Sequence, residues 1–380
     1  MRYRLLSALL AAGLLSGCIG CAGNTGTDTI FGTGRTDGTD YPVPRIAEAE
    51  RPDTDPVLSA PAVPDTEAPV LPEPEPESGS VTISFIGDVM LASENGDDGF
   101  WSFNLFAYDT PKDYYFSEMR EIFSSDDYTV ANCENVFSDR ELEPRGKDDA
   151  GTGFTFWYRS GTENAEIFSA GGIEVVSLAN NHALDYGPEG RNDTYDALET
   201  AGCTCMAEGK SLIIEEKGLR IGILFVSMYS EYWLQPILDW LEEAKETTDY
   251  RVVYYHGGSE RTHEPDAWRI RASHAMVDAG ADLVLGNHPH VLQPKEVYKG
   301  KTIIHSLGNF LFGGSHTCEN RTIVFRLTLD AQDGMLTGTH EKIIPCLCYG
   351  ELWQPAPLEA GGTAWQRVLD FMDGKREKPF

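Results

Sequence analysis

From residue 81 onward the chain alternates short β-branched segments with helical patterns, and this alternation constrains its fold more than any other feature. Such alternation is typical of α/β proteins, in which helices cover a sheet. It predicts a helix over residues 267–278, ended by Gly280, and a short helix over 364–372. It predicts strands over residues 81–86, 128–131, 173–178, 251–255 and 281–285. We therefore expect one α/β domain over residues 81–350 and a C-terminal tail over 351–380.

Each predicted strand is followed by side chains that can bind a metal ion. In chain order these are Asp88, Asn132, Glu134, Asn180, Asn181, His182, His256, His288 and His290. Ligands of α/β sheets gather just outside the carboxyl ends of the strands. Imidazole, carboxylate and carboxamide groups together suit Mn, Fe or Zn. The sequence thus predicts divalent metal at this edge, and two ions about 3.5–4 Å apart would activate a water and hold the substrate oxygens.

The first 17 residues have the pattern of a secretory signal peptide. Arg2 and Arg4 precede an apolar segment, residues 5–15, which is shorter than the about 20 residues that span a bilayer. The segment Leu15-Ser16-Gly17-Cys18 resembles a lipobox, the site at which bacteria attach lipid to a cysteine. The alternative is an ordinary signal peptide with a chance cysteine. We expect an exported protein that lipid on Cys18 anchors to the outer face of the cytoplasmic membrane.

Residues 18–80 form a predicted tether between the anchor and the domain. The segment is Gly/Thr-rich and then Pro/Glu-rich, and it has no apolar periodicity. Prolines and like charges favour an extended, disordered chain, so we expect a spacer that lifts the domain off the lipid surface.

The composition is strongly acidic, with 60 Asp and Glu against 30 Lys and Arg and a net charge of −30. Such a surface repels nucleic acid and anionic headgroups, so neither is expected as a partner. It also repels a polyanionic substrate, unless metal ions or lysines such as Lys295 and Lys299 reverse the local sign. The two C-x-C pairs, Cys203/Cys205 and Cys346/Cys348, are compatible with disulfides or with free thiols.

Five ordered motifs resemble those of the CapA family of poly-γ-glutamate capsule proteins. They are Gly87-Asp-Val-Met-Leu91, Asn132-x-Glu134, Ser177-Leu-Ala-Asn-Asn-His-Ala-Leu-Asp-Tyr-Gly187, Gly280-Ala-Asp-Leu-Val-Leu-Gly-Asn-His-Pro-His-Val-Leu-Gln293 and Ser306-Leu-Gly-Asn-Phe310. The resemblance covers about residues 81–313. Because the family is related to the calcineurin-like metallophosphatases, it implies a layered sandwich of two mixed sheets flanked by helices.

The resemblance also implies roles for individual residues. His182 would be the proton donor beside the leaving group, and Asp185 would hold its ring. Asn132, Asn180 and Asn309 would line the site, with Asn132 as either a ligand or a partner of Glu134. The alternative for Asn309 is a tight turn that only packs Phe310. The metal ligands would be Asp88, Glu134, Asn181, His256, His288 and His290.

The chain departs from the family pattern at three places, one of which is His305, where the family often has Tyr before Ser-Leu-Gly-Asn. The usual His-Trp-Gly-x-Glu segment is His256-Gly257-Gly258-Ser259-Glu260 here, which removes an aromatic wall and puts substrate shape in doubt. Met90 stands where the metallophosphatases have the histidine of Asp-x-His, which leaves open whether the second metal binds. Residues 228–240 are interpreted as a lid or packing helix. Four histidines without a motif are interpreted as surface or ordinary core residues: His263, His274, His316 and His340.

Three functions remain compatible with the sequence. The first is a surface component of poly-γ-glutamate production or export, with the polymer and membrane synthase subunits as partners. The second is a metal-dependent hydrolase of a phosphoester, or of amide bonds in peptidoglycan or polyglutamate. The third is a non-catalytic scaffold, against which the complete set of ligands argues.

Overall fold

The computed structural model describes residues 78–94, 102–146, 156–314 and 319–380 of the chain. These residues all belong to one unit, Leu71–Phe380. The predicted signal peptide over residues 1–17 and the predicted tether from Cys18 to residue 77 lie outside the described residues. None of the helices in the described residues is long and apolar enough to cross a membrane.

The elements of the described residues follow the alternation expected from the sequence. The strands are β1 (Gly79–Met90), β2 (Ser93–Glu94), β3 (Tyr128–Cys133), β4 (Val136–Phe137), β5 (Tyr158–Ser160), β6 (Val175–Ser177), β7 (Thr204–Met206), β8 (Lys210–Glu216), β9 (Leu219–Ser227), β10 (Tyr250–His256), β11 (Leu283–Asn287), β12 (Leu292–Tyr298), β13 (Lys301–Leu307), β14 (Asn309–Phe312), β15 (Thr322–Gln332), β16 (Met335–Glu351) and β17 (Gln354–Pro357). The α-helices are α1 (Phe103–Asp109), α2 (Arg120–Phe123), α3 (Glu166–Ala170), α4 (Gly187–Thr200), α5 (Leu234–Ala244), α6 (Ala267–Ala279) and α7 (Thr363–Met372). Short 3-10 helices lie at Lys112–Tyr114, Ser117–Met119, Thr162–Ala165 and Glu231–Trp233.

Two large mixed sheets form the centre of the fold. The first has the order β17-β16-β15-β1-β3-β6-β7, with β14 also paired to β1, and the second has the order β12-β13-β11-β10-β9-β8. In the first sheet β1, β3, β6 and β7 run parallel, and in the second β9, β10, β11 and β13 run parallel. A third sheet, β2-β5-β4, was not expected from the sequence.

The strands alternate between two apolar layers because successive side chains point to opposite faces of a sheet. In β10, Val252 and Tyr254 belong to a central core between the two large sheets, which also contains Ile83 and Phe85 of β1. Val253, between them in the sequence, packs instead with α5 and α6 on the outer face. The two large sheets therefore share one core and lie face to face.

Helices cover the outer faces of both sheets. Phe103 of α1, Phe168 of α3 and Leu198 of α4 pack with residues of the first sheet, and Leu241 of α5 and Met276 of α6 pack against the second. The predicted α/β class, with mixed sheets flanked by helices, is therefore confirmed.

The chain after residue 351, expected to be a tail, contributes to the sheets and to the central core. Strand β17 pairs with β16, and helix α7 lies where a helix was predicted over residues 364–372. Val368, Phe371 and Met372 of α7 lie in the central core. The sheet and the core that contain β1 are therefore completed by β17 and α7.

The cysteines of the described residues form no disulfides with one another. Cys133, Cys203, Cys205, Cys346 and Cys348 are all buried. Burial raises the pKa of Cys133 to about 12, so its thiol is a poor nucleophile at neutral pH. In this part of the chain the two C-x-C pairs therefore act as small apolar residues.

Candidate metal centre

The carboxyl ends of strands from both large sheets meet at one edge of the sandwich. Asp88 lies near the end of β1, Glu134 follows β3, His256 ends β10, and His288 follows β11. With His290 these residues form what we term the histidine–carboxylate cluster, and all but the partly buried His290 are fully or almost fully buried. The strand-end rule thus places the predicted side chains together.

Asp88 is held in place by an irregularity of β1. The register of β1 shifts at Asp88 against both β3 and β14. A side chain at Gly87 would put its Cβ 1.8 Å from the carbonyl oxygen of Gly308, so only glycine permits this close approach. The Asp88 carboxylate accepts hydrogen bonds from Asn132 Nδ2 at 2.8 Å and from the backbone N–H of His288 at 3.0 Å.

Glu134 provides the clearest sign that the cluster is built for a cation. Its side chain is fully buried, and neither carboxylate oxygen makes a hydrogen bond with the described residues. Oε1 lies 3.0 Å from His256 Nε2, and Oε2 lies 3.7 Å from His290 Nδ1, close in distance but without hydrogen-bond geometry. A buried carboxylate without hydrogen bonds is costly unless a cation compensates it. These residues therefore fit a divalent metal, which would take the place of the protons on His256 and His290.

The His256 ring lies at the centre of the cluster. Its Nδ1 is 3.1 Å from Asn132 Nδ2, and its Nε2 is 2.9 Å from Asn181 Oδ1 and 3.0 Å from His288 Nδ1. Lone-pair atoms from a carboxamide, an imidazole and the carboxylate of Glu134 thus all face the same ring nitrogen. Such convergence is what a shared metal position requires.

His288 and His290 have unusual backbone conformations. Their φ angles are +94° and +58°, in a region that side-chain-bearing residues seldom adopt. Such conformations persist where the surrounding structure holds them, and they concentrate at functional sites. Pro289 between them, together with these turns, lets both rings face the cluster.

Two sets of potential metal ligands result from this geometry. Asp88, Glu134 and His256 form one set, and Glu134, His288 and His290 form the other. Within each set the potential ligand atoms lie within 4.8 Å of one another. Glu134 belongs to both sets and would contribute to holding an ion at either position.

The charges of the cluster are strongly coupled. Although burial lowers it, the carboxylates of Glu134 and Asp88 raise the pKa of His256 to about 9. The pKa of His290 rises to about 10 for the same reasons. Burial and the two neighbouring histidines hold the pKa of His288 well below its usual value. Despite its burial, Asp88 has a pKa well below the usual range because the imidazoles of His256 and His290 lie beside its carboxylate.

His182 and Asp185 form a hydrogen-bonded pair beside the cluster. His182 Nδ1 lies 2.9 Å from Asp185 Oδ2, which also accepts the backbone N–H of Tyr158 at 3.0 Å. The backbone of His182 donates to Asn180 Oδ1 at 2.9 Å, and the Tyr158 ring packs on the imidazole with centroids 4.8 Å apart. The His182 ring is therefore fixed in orientation, and it belongs to neither ligand set.

The predicted lining residues form amide contacts around the ligands. Asn180 Nδ2 donates to Asn132 Oδ1 at 3.0 Å, so Asn132 links Asn180 to Asp88. Asn309 Oδ1 lies 2.9 Å from His290 Nδ1. The three asparagines thus orient ligands, while their functional roles remain predictions.

Residues 82–314 match the model of a protein family described as bacterial capsule synthesis protein PGA_cap. The matched segment contains every residue of the histidine–carboxylate cluster together with His182 and Asp185. The chain belongs to this family.

Curated relatives place the chain near the CapA members of the capsule synthesis family. It is 28% identical over 279 residues to the PGA biosynthesis protein CapA of Bacillus subtilis (strain 168), covering 65% of this chain and 68% of the relative. It is 29% identical over 298 residues to the capsule biosynthesis protein CapA of Bacillus anthracis, covering 71% and 69%. A crystal structure described as a novel phosphatase from Mycoplasma pneumoniae matches with a TM-score of 0.43 and 12% identity, covering 70% of this chain and 94% of that one. The family assignment therefore rests on the sequence matches.

The departure from the capsule synthesis family pattern at Gly257 has a structural reason. A Cβ at this position would lie 1.8 Å from the carbonyl oxygen of Met228, so no tryptophan fits. Tyr229, the next residue after Met228, packs its ring on the His288 ring with centroids 5.4 Å apart. Its hydroxyl lies 3.4 Å from Asn181 Oδ1. Tyr229 therefore provides an aromatic wall at the site.

Sequence reasoning missed Tyr229 and two other residues near the cluster. Tyr229 was expected in a lid or packing helix, yet it lies two positions after the end of β9, a strand that was not predicted from the sequence. Glu260 lies with Oε1 3.9 Å from His288 Nε2. Asn287 is fully buried, and neither atom of its amide has a hydrogen-bond partner in the described residues. Both residues lie in motifs quoted in the sequence analysis, Glu260 at the end of the segment that begins with His256 and Asn287 directly before His288, but neither was assigned a role.

The described histidines without a motif lie beside carboxylates. His263 contacts Glu319 at 3.0 Å, His274 contacts Glu296 at 2.6 Å, and His340 contacts Asp330 at 2.8 Å. His316 lies outside the described residues. None of the three described residues belongs to a ligand set, in agreement with the sequence interpretation.

Proposed function

We propose that this chain acts in the production of poly-γ-glutamate at the cell surface, and that its histidine–carboxylate cluster binds divalent metal and supports a hydrolytic step there. Family membership and the relatives named for capsule or PGA biosynthesis support the first part. The observation that carries the second part is Glu134, a buried carboxylate without hydrogen bonds beside two histidines. Its chemistry calls for a cation.

The ligand types define which metals the cluster would hold. Asp88, Glu134 and His256 would bind one ion, and His288 and His290 would bind a second together with Glu134. A mixture of imidazole and carboxylate ligands suits Mn, Fe or Zn. When bound, a divalent metal supplies a Lewis acid that polarises an oxygen of the substrate.

His182 is the residue we assign to proton transfer. Asp185 holds Nδ1 of the ring at 2.9 Å, so exchange of a proton with the leaving group falls to Nε2. Asn181, the preceding residue, contacts His256 in the cluster. The side chain of Asn181 would thus face the metal ligands, and that of His182 would face the substrate. This buried pair favours an enzyme over a scaffold, because a scaffold needs no oriented proton donor.

Metal is also the means by which so acidic a chain would contact a polyanion. The two lysines considered for this role are engaged elsewhere, since Lys295 pairs with Asp373 at 3.0 Å and Lys299 pairs with Asp278 at 2.5 Å. The positive charge that attracts carboxylates of the polymer would therefore come from ions in the cluster.

We further propose that lipid on Cys18 holds the protein at the outer face of the cytoplasmic membrane. The lipobox-like segment before Cys18 and the tether composition of residues 18–80 support this location. Membrane synthase subunits of the polymer are the partners that such a location would bring within reach.

The test of catalysis is the substitution His182→Asn, with metal content and hydrolysis measured on the same preparation. Chromogenic phosphoesters and poly-γ-glutamate of defined length serve as substrates. We expect unchanged metal content and turnover that is slower by roughly 10²–10⁴-fold, the usual contribution of a positioned proton donor. The matched control is His340→Asn, which removes the histidine of an exposed His–Asp pair. Full metal and full turnover in His182→Asn would contradict the proposed role.

A further inference from the structure

Arg269 is a buried cation for which the sequence offers no explanation. It lies in α6, its side chain is completely inaccessible to solvent, and no described Asp or Glu forms a salt bridge with it. A charge buried among neutral partners is unfavourable, and an apolar residue of similar size would cost less. The position therefore calls for a role beyond packing.

The guanidinium donates hydrogen bonds in three directions. Nε donates to the Tyr255 hydroxyl at 3.0 Å, Nη1 donates to Gln293 Oε1 at 2.7 Å, and Nη2 donates to the backbone carbonyl of His305. A planar group with five donors can satisfy such an arrangement, whereas a lysine ammonium on a flexible stem cannot reproduce it.

Gln293 extends this arrangement to the loop that follows His256. Its Nε2 donates to the backbone carbonyl of Thr262 at 2.9 Å and to that of Glu264 at 3.3 Å. Tyr255 directly precedes His256 in β10. Arg269 thus connects the strand before a metal-ligand candidate with the loop after it.

The guanidinium also lies against the backbone on both sides of the cluster. A Cβ at Gly258 would lie 2.6 Å from Arg269 Cδ, and a Cβ at Gly286 would lie 2.6 Å from Arg269 Nη2. Gly258 follows His256 by two positions, and Gly286 precedes His288 by two. One side chain therefore contacts both segments whose histidine nitrogens lie 3.0 Å apart.

We propose that Arg269 is a positioning residue that sets the separation of His256 from His288 and so preorganises the cluster for metal. The inference rests on the proposed metal site. Loss of the three hydrogen bonds lets the two segments move independently, and each ion then has to draw its ligands together. The expected effect is weaker metal binding by a protein that is still folded.

The test measures Zn²⁺ affinity of the full-length protein by competition with a chromophoric chelator, together with thermal unfolding. Arg269→Met should reduce Zn²⁺ affinity by about 10–100-fold, the usual loss when residues that orient ligands are removed. Arg269→Lys, which keeps the charge and loses the geometry, should give an intermediate loss. The matched control is Arg326→Met, since Arg326 of β15 donates to Ser84 and Ile122 and contacts no cluster residue. It should lower the unfolding temperature and leave Zn²⁺ affinity unchanged.

The possible outcomes test the positioning role of Arg269 and the proposed metal site separately. Unchanged affinity in a folded Arg269→Met protein, or an equal loss in Arg326→Met, overturns the positioning role. If Arg269→Met does not fold, Gln293→Met breaks the same connection with Arg269 in place, and its affinity must fall or the role is overturned. If the unaltered protein binds neither Zn²⁺ nor Mn²⁺, the proposed metal site itself fails and the inference fails with it.

Discussion

Metal binding by the histidine–carboxylate cluster should depend on pH in a direction fixed by its own histidines. Before metal binds, His256 has a pKa of about 9 and His290 a pKa of about 10. An imidazole nitrogen must lose its proton before it can bind a metal ion. Protons and metal ions therefore compete for the cluster, and the affinity for metal falls as pH falls.

The size of the effect follows from how the histidines are divided between the ligand sets. His256 belongs to one set and His290 to the other, so each ion displaces about one proton. His288 releases none, because its pKa lies well below the usual value. The affinity of each set should thus rise about tenfold per pH unit from pH 6.5 upward. The rise should end near pH 9 for the first set and near pH 10 for the second.

The same pKa values predict the stability of the protein without metal. A pKa raised above the ordinary value of 6.5 means that the folded state binds the proton more tightly than the unfolded state does. The resulting stabilisation is fully present below pH 6.5 and is lost as pH rises through about 9 and 10. Alkaline pH should therefore destabilise the metal-free protein and raise its affinity for metal.

Isothermal titration with Mn²⁺ at pH 6.5, 7.5 and 8.5, in buffers of different ionisation enthalpy, measures both the affinity and the number of protons released. The unaltered protein should release about two protons on saturation, and His290→Ala about one. Affinity that does not change with pH, together with no proton release, would refute the protonated cluster.

Two further substitutions test other parts of the proposal. His288→Ala should lower the metal content measured by mass spectrometry, because the ring is a ligand candidate. The circular dichroism spectrum should be retained, because the loop lies at the edge of the sheet. Normal metal content in this variant would remove His288 from the site. Cys18→Ala should move the protein from the membrane fraction to the soluble fraction, because lipid on this residue is the proposed anchor. If the variant has lost its signal peptide and still stays on membranes after a high-salt wash, the lipid anchor is contradicted.

Much of the fold could be predicted because buried parallel strands leave a distinct pattern. The segment predicted over residues 251–255 is β10, Tyr250–His256, and the helix predicted over 267–278 is α6, Ala267–Ala279. Gly280 ends that helix with a φ of +114°, a conformation that glycine adopts readily. Local sequence decides such elements.

The cluster could be predicted for a related reason. Parallel strands bring their carboxyl ends to one edge, so residues distant in sequence, such as Asp88 and His256, come together without any knowledge of the loops. The strand-end rule does not predict which helix residues pack against this edge of the sheet. Arg269 has no motif, and its burial depends on the packing of α6 on β10 and β13. Tyr229 was missed because β9, the strand that precedes it, was not among the predicted strands.

The position of β1 in the first sheet bears on how the chain reaches its folded state. Strand β1 is the first described strand to be synthesised, yet β15, its antiparallel neighbour, comes far later, and Thr82 meets Thr328 across 246 positions. Until β15 is available, β1 exposes an unpaired edge and apolar side chains, a combination that slows folding and invites aggregation. A chain of this topology gains from being kept extended until it is nearly complete. Passage through a secretion channel in an unfolded state would meet that requirement.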